Sequence, residues 1–251
     1  MKIKFITLNL YHGYLLDEAI QFLKKENPDI IALQEVYAGT DAVLPNNLRS
    51  FILLQRALLG YYSCFAPETK LIREEGEADF GNALFSRFPI RKNRTSFLHG
   101  VYGPSQWNKS MTDFSGQPKN MLVVEVVIGR MTLNLYSLHG IWGFDGNDNE
   151  LRLRMSRLIT DEIKDKQNVI MGGDFNCRPN TQTINNIEKY LVNVFKNELK
   201  TTFNMKHKTN GGYATAVVDM IFISPDIKVV NHYCPKVDVS DHFPLVAVLN
   251  V

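Results

Sequence analysis

The chain has few of the features that announce a specialised setting. Its 251 residues include three cysteines, Cys64, Cys177 and Cys234. They are odd in number, widely separated and lack metal-ligand spacing, which argues against a disulfide framework or a cysteine-based zinc site. Charge of one sign is also missing: 28 Lys and Arg stand against 26 Asp and Glu, a formal +2. So slight a balance falls short of the basic footprint of a dedicated nucleic-acid binder, and neither demands nor excludes a polyanionic substrate. No stretch approaches the roughly 18 consecutive apolar residues of a membrane helix, so no integral membrane segment is expected. The opening residues Ile3, Phe5 and Thr7 alternate as a strand does, so no leader is expected within these residues. The expectation is one domain over residues 1–251, monomeric, in a reducing cytoplasmic setting. There is no internal repeat, low-complexity tract or clear linker.

What is present is a series of short apolar runs with turn signals between them. Ile3 to Leu10, Asp29 to Gln34, Asn82 to Phe85, Met121 to Ile128, Met131 to Leu138, Val169 to Met171, Val218 to Ile223 and Leu245 to Leu249 read as strands. Two segments have a helical period instead: Leu15, Ala19, Ile20 and Leu23, then Leu151, Met155, Leu158, Ile159 and Ile163. Helices alternate with strands at the start, whereas residues 80 to 138 read as consecutive strands. A mixed, layered α/β (α+β) domain follows. Gly103 to Lys119 is a polar connection holding Trp107 and Phe114, either a binding loop at the mouth of a site or a long hairpin connection.

Polar residues stand where the apolar strands end: Asn9, Glu35, His139, the Gly173-Asp174-Phe175-Asn176 tetrapeptide, Asp219 and Asp241-His242. Each alone has an ordinary explanation as a turn former or cap. Together they form an oxygen-rich acidic set with imidazoles in reach. Such a set suits a hard cation with retained waters, Mg²⁺ with Mn²⁺ as a substitute, better than zinc, which favours clustered His and Cys. Hydrolysis of a phosphate ester needs an oriented water, neutralised equatorial oxygens and a stabilised leaving oxygen, and the set offers a candidate for each.

The order Asn9, Gln34-Glu35, His139, Gly-Asp-Phe-Asn, Asp219 and Ser240-Asp241-His242 resembles the endonuclease/exonuclease/phosphatase family, the deoxyribonuclease I-like superfamily, across nearly the whole chain. The resemblance implies a four-layered α/β/β/α sandwich, two mixed sheets packed face to face with helices outside and the site at one edge. It further implies that Glu35 is the principal metal ligand, with Asn9 and Asp241 near the ion. Asp174 would orient or deprotonate the attacking water, Asn176 would hold a phosphate oxygen, and His242 would contact the scissile phosphate with Asp219 fixing its ring. His139 is shared with the deoxyribonuclease and neutral sphingomyelinase branch, whereas abasic-site endonucleases usually present tyrosine there; it would be the general acid. The segment Arg73 to Asn82 resembles the region from which some relatives supply an acidic partner to that histidine, so Glu75 or Glu77 is either that partner or part of a solvated acidic loop. Tyr11, His12, Asn82 and Trp142 are pocket candidates. Arg87 is expected to brace the fold through a surface ion pair, and Arg152, Arg154 and Arg157 to be the wet face of a helix.

The resemblance therefore implies a divalent-metal-dependent phosphoester hydrolase, first a phosphodiesterase acting on nucleic acid. A sphingomyelinase-like or inositol-phosphate-type phosphatase is the alternative, and a non-catalytic binding protein comes last because every expected block is present.

Overall fold

The computed structural model describes residues 1–107, 112–208 and 216–251. Two sheets face each other. The first has seven strands: β1 (Lys2–Asn9), β2 (Ile30–Tyr37), β3 (Tyr62–Arg73), β4 (Gly76–Ser86), β6 (Pro104–Gln106), β12 (Lys228–Tyr233) and β13 (Leu245–Asn250), in the order β12-β13-β1-β2-β4-β3-β6. The second has six: β5 (Ile90–His99), β7 (Lys119–Ile128), β8 (Met131–His139), β9 (Val169–Asp174), β10 (Val192–Asn193) and β11 (Asp219–Ile223), in the order β10-β11-β9-β8-β7-β5. Each sheet is mixed, with β1 parallel to β2 and β8 parallel to β9 inside otherwise mainly antiparallel ladders.

Four helices cover the outer faces. From α1 (Leu16–Glu26) and α2 (Ser50–Ala57), residues Ala19, Leu23 and Leu54 pack with Ile6, Leu8, Ile31 and Leu33 on the first sheet. From α3 (Glu150–Ile163) and α4 (Gln182–Glu188), Met155, Ile159 and Ile184 pack with Tyr136, Met171 and Phe222 on the second. The alternate residues of the same strands, such as Ile3, Phe5, Leu133, Leu135, Ile170 and Ile221, fill the space between the sheets. Strands buried on both faces are continuously apolar, which is why the runs were readable. The expected α/β/β/α sandwich is the observed architecture.

The sheets approach closely at Gly172, where a Cβ would lie 2.6 Å from the Phe5 ring and 2.9 Å from Thr7 Cβ. Register then fixes the functional edge. Asn9 is level with Gln34 on β1 and β2, His139 is level with Asp174 on β8 and β9, and antiparallel β11 begins at Asp219 opposite Asp174.

Some details differ from expectation. Leu158 is on the outer side of α3, 36% exposed, so the apolar stripe is narrower than its spacing suggests. The stretch from Gly103 leaves the second sheet, adds β6 in parallel to β3 on the first, and returns as β7. Residues 108–111 of that stretch lie outside the described residues.

Candidate active site

At this edge the inward-facing positions change character together. Along β1 the series Ile3, Phe5 gives way to Thr7 and Asn9; along β8, Leu133 and Leu135 give way to Ser137 and His139. Gln34 bridges the sheets, its Nε2 donating to Ser137 Oγ at 3.0 Å.

Glu35 projects from a bulge in β2, where pairing with β4 jumps between Leu33 and Val36 and the Glu35 φ is 58°. Its carboxylate accepts from Asn9 Nδ2 (3.0 Å) and the His12 backbone N–H (3.0 Å), and His12 Nε2 is 3.4 Å away. Burial pushes Glu35 up, but the His12 and His139 rings and the Asn9 hydrogen bond hold it well below the usual carboxylate range. The Asn9 amide also donates to Asp174 Oδ2 at 3.2 Å, while its oxygen accepts from Tyr11 N. Asn9 thus orients two carboxylates and turns its NH₂, not its oxygen, toward them.

Asp174 Oδ2 is 3.8 Å from His139 Nε2 and 3.9 Å from His242 Nε2. Burial and the neighbouring Asp219 raise it to about 6. The Asp219 Oδ2 to His242 Nδ1 contact is 2.8 Å. Burial pushes the His242 ring down, yet Asp219 and Asp241 outweigh it and raise it to about 9. Ser240 Oγ donates to the Asn9 carbonyl (2.6 Å) and accepts from His242 N (3.1 Å), tying the terminal block to β1. Asn176 Nδ2 donates to the Gly140 carbonyl at 3.1 Å. The chains cross so tightly here that a Cβ at Gly140 would lie 2.2 Å from the Phe175 oxygen.

Asp174, Asp219 and His242 could offer atoms within 4.8 Å of one another to a metal. The short Asp219–His242 pair is already charge-compensated, so Glu35 and Asp174 are the better oxygen donors, with Asp241, whose Oδ2 is held by Lys208, able to offer its Oδ1. Buried carboxylates with no thiol among them fit a hard cation.

Three expectations are corrected. Glu75 and Glu77 are exposed, and Glu77 pairs with Lys70 at 3.2 Å. The acid on the Nδ1 side of His139 is Glu68 on β3, 3.9 Å away, with Lys119 Nζ between them at 3.1 Å from Glu68 and 3.0 Å from the ring. Burial pushes Glu68 up to about 7 against the pull of Lys119, and burial with the Lys119 charge holds His139 well below its ordinary value. Second, Asn82 stands behind the pocket and donates to Glu68 Oε1 at 3.1 Å. Tyr11, His12 and Trp142 do line the pocket. Third, Arg152 is fully buried and donates to the Ile141 (3.0 Å) and Asn147 carbonyls, stapling the loop that carries Trp142. Arg154 and Arg157 are exposed as expected. Arg87 braces the fold as expected, through hydrogen bonds to Tyr61 and Asn27.

Lys208, also unforeseen, places Nζ 2.8 Å from Asp241 Oδ2. Lys119 opens β7 as Asp219 opens β11, so the strand-end rule would have reached it; Glu68 and Lys208 carry no comparable local signal.

Comparison with known proteins agrees with this geometry. The family described as Endonuclease/Exonuclease/phosphatase matches residues 6–242. The chain belongs to that family. Family members act on phosphoester bonds, as nucleases or phosphatases, and divalent metals are in general use among them. A search of curated proteins finds no match. Among solved structures, an endonuclease/exonuclease/phosphatase from Beutenbergia cavernae superposes with a TM-score of 0.76 at 18% identity, covering 100% of this chain and 72% of that one. The mannosyl-6-phosphatase of Bacteroides thetaiotaomicron gives 0.70 at 19% identity, over 99% and 100%. TDP2 of D. rerio with a single-strand DNA product gives 0.71 at 17%, over 100% and 99%. At such identities the likeness shows the fold alone. Among the described residues no helix is long and apolar enough to cross a membrane.

Proposed function

We propose that this family member hydrolyses phosphate esters by metal-assisted attack of water on phosphorus. The carrying observation is Asp174 between two imidazoles, His139 Nε2 and His242 Nε2, at 3.8 and 3.9 Å. Glu35 and Asp241 would hold Mg²⁺ or Mn²⁺. When bound, the cation neutralises phosphoryl charge. Asp174, raised to about 6, is suited to orient a water and take its proton near neutrality. His242, kept charged by Asp219, contacts the phosphoryl oxygens, and the Asn176 amide supports one of them. With the Lys119 ammonium against Nδ1, His139 accepts on that side and presents Nε2–H to the leaving oxygen. His139 is then a neutral hydrogen-bond donor in place of an imidazolium acid.

A nucleic-acid phosphodiesterase, the reading in line with TDP2, and a phosphatase of a soluble or lipid phosphate, in line with the mannosyl-6-phosphatase, share this chemistry. One observation favours the phosphatase. Among the described residues, the cations that line the pocket are Lys119 and Lys208, held by Glu68 and Asp241, which leaves neither for a second phosphate.

The test is hydrolysis with Mg²⁺ or Mn²⁺, and with chelator, on plasmid, single-stranded DNA, RNA, bis-p-nitrophenyl phosphate, sphingomyelin and sugar or inositol phosphates. Turnover should require metal and fall at least about 10²-fold in His242→Ala. Undiminished rates in chelator or in His242→Ala overturn the reading.

A further inference from the structure

A cavity of about 190 Å³ opens beside the catalytic edge, with Glu35, His139 and Asp241 in one wall. Whatever fills it lies against the reacting phosphate. Much of the rest of the lining is aromatic. Trp107 packs edge-on to His12 (4.9 Å, 66°) and lies near-parallel to Phe114 (6.1 Å, 26°), which meets Trp142 edge-on (5.5 Å, 81°). These rings form one continuous group beside the catalytic edge.

The polar part of the lining is unusual. Glu68 and Lys119 are 1% and 5% exposed, yet both border the cavity. Asn82 and Asn120 fix them from behind, with Asn82 Nδ2 donating to Glu68 Oε1 (3.1 Å) and to Asn120 Oδ1 (2.8 Å). A carboxylate and an ammonium locked 3.1 Å apart cancel in net charge but leave an acceptor and a donor side by side. That pairing matches adjacent hydroxyl groups, each of which donates and accepts, and rejects a second anion. The amides of Gln106 and Gln117 are at the same cavity. Buried polar groups together with aromatic rings in one lining complement a ring whose edge is hydroxyls and whose face is C–H.

We propose that this cavity is the subsite for the alcohol portion of the ester and takes a small polyhydroxylated ring, a sugar or cyclitol. The preferred substrate is then the phosphate ester of such a ring, not a polynucleotide. The inference rests on the hydrolase reading above for the chemistry, but occupancy of the cavity has its own readout.

Both tryptophans of the chain, Trp107 and Trp142, line the cavity. Intrinsic fluorescence therefore reports binding without turnover. Mannose 6-phosphate, glucose 6-phosphate and myo-inositol 1-phosphate are titrated in chelator against oligo-dT and inorganic phosphate. In parallel, kcat/KM with Mg²⁺ or Mn²⁺ is measured on the same esters and on p-nitrophenyl phosphate. A polyol phosphate should shift the fluorescence saturably and be hydrolysed with a higher kcat/KM than the oligonucleotide. Phe114→Ala should lower the polyol phosphate to p-nitrophenyl phosphate selectivity about tenfold, mainly through KM. Preferred cleavage of oligo-dT, with no fluorescence response to any polyol phosphate, overturns the subsite and leaves the hydrolase intact. Saturable polyol phosphate binding with no ester hydrolysed under either metal does the reverse: the subsite stands and the hydrolase reading falls.

Discussion

The two ends of the space between the sheets are built from the same strands with opposite chemistry. At the far end Ile3, Phe5, Leu133, Leu135, Ile170 and Ile221 fill it with hydrocarbon. At the near end, two to four residues away along the same strands, Thr7, Asn9, Ser137, His139, Asp174 and Asp219 are just as buried and entirely polar. Burying polar groups is tolerable only when their hydrogen-bonding capacity is met, and here each is tied to another: Asn9 to Glu35 and Asp174, Asp219 to His242, Asn82 to Glu68. One end holds the sandwich together, and the other borrows its rigidity to hold reactive groups in place.

Substitutions at the two ends should separate these roles. Glu35→Ala, Asp174→Ala or His242→Ala should each lower kcat about 10²- to 10⁴-fold while leaving the circular dichroism spectrum unchanged. Leu135→Ala, fully buried at the apolar end, should cost about 2–5 kcal/mol of unfolding free energy in a urea melt, with turnover of the folded fraction preserved. A stable Leu135→Ala protein with lost turnover would erase the distinction.

Acidity offers a gentler probe. The ring of His242 is raised to about 9, above the ordinary value near 6.5, so its protonation stabilises the fold. That contribution is fully present below about 6.5 and is lost as pH rises through 9. In chelator, the melting temperature should fall across this window, and His242→Gln should flatten the fall. The smallest effects belong to α3: Arg154→Ala and Arg157→Ala should each change stability by less than about 0.5 kcal/mol and leave turnover alone, whereas Arg152→Ala, on the same helix but buried, should destabilise measurably.

How much of this was readable follows from how local each signal is. Strands buried on both faces declare themselves by composition, so β1, β2, the end of β4, β7, β8, β9, β11 and β13 were legible. β5, with Arg91, Lys92, Asn93 and Arg94 on an edge, and β12, exposed for most of its length, were not. Asn9, His139, Asp174 and Asp219 were found because they stand at the ends of legible strands. Glu68 was missed because β3 itself was missed: its alternating Cys64, Ala66, Glu68 face makes sense only once it is paired with β4. Arg152 was misread because a helical wheel records which side of a helix a residue occupies and nothing of a loop folded over it.

The backbone at the site has a further consequence. Non-glycine residues with positive φ include Tyr11, His12 and Glu35, clustered at the catalytic edge, whereas three of the positions elsewhere are Asn, which tolerates that region. Holding Glu35 left-handed stores conformational energy that glycine would release. The hydrogen bonds that Glu35 accepts from Asn9 and His12 N offset that energy, so glycine there would relieve the backbone and at once strand two donors. Backbone strain and side-chain hydrogen bonding meet at a single dihedral angle in this molecule, and an engineered, hardened version should take its stabilising changes from the apolar end.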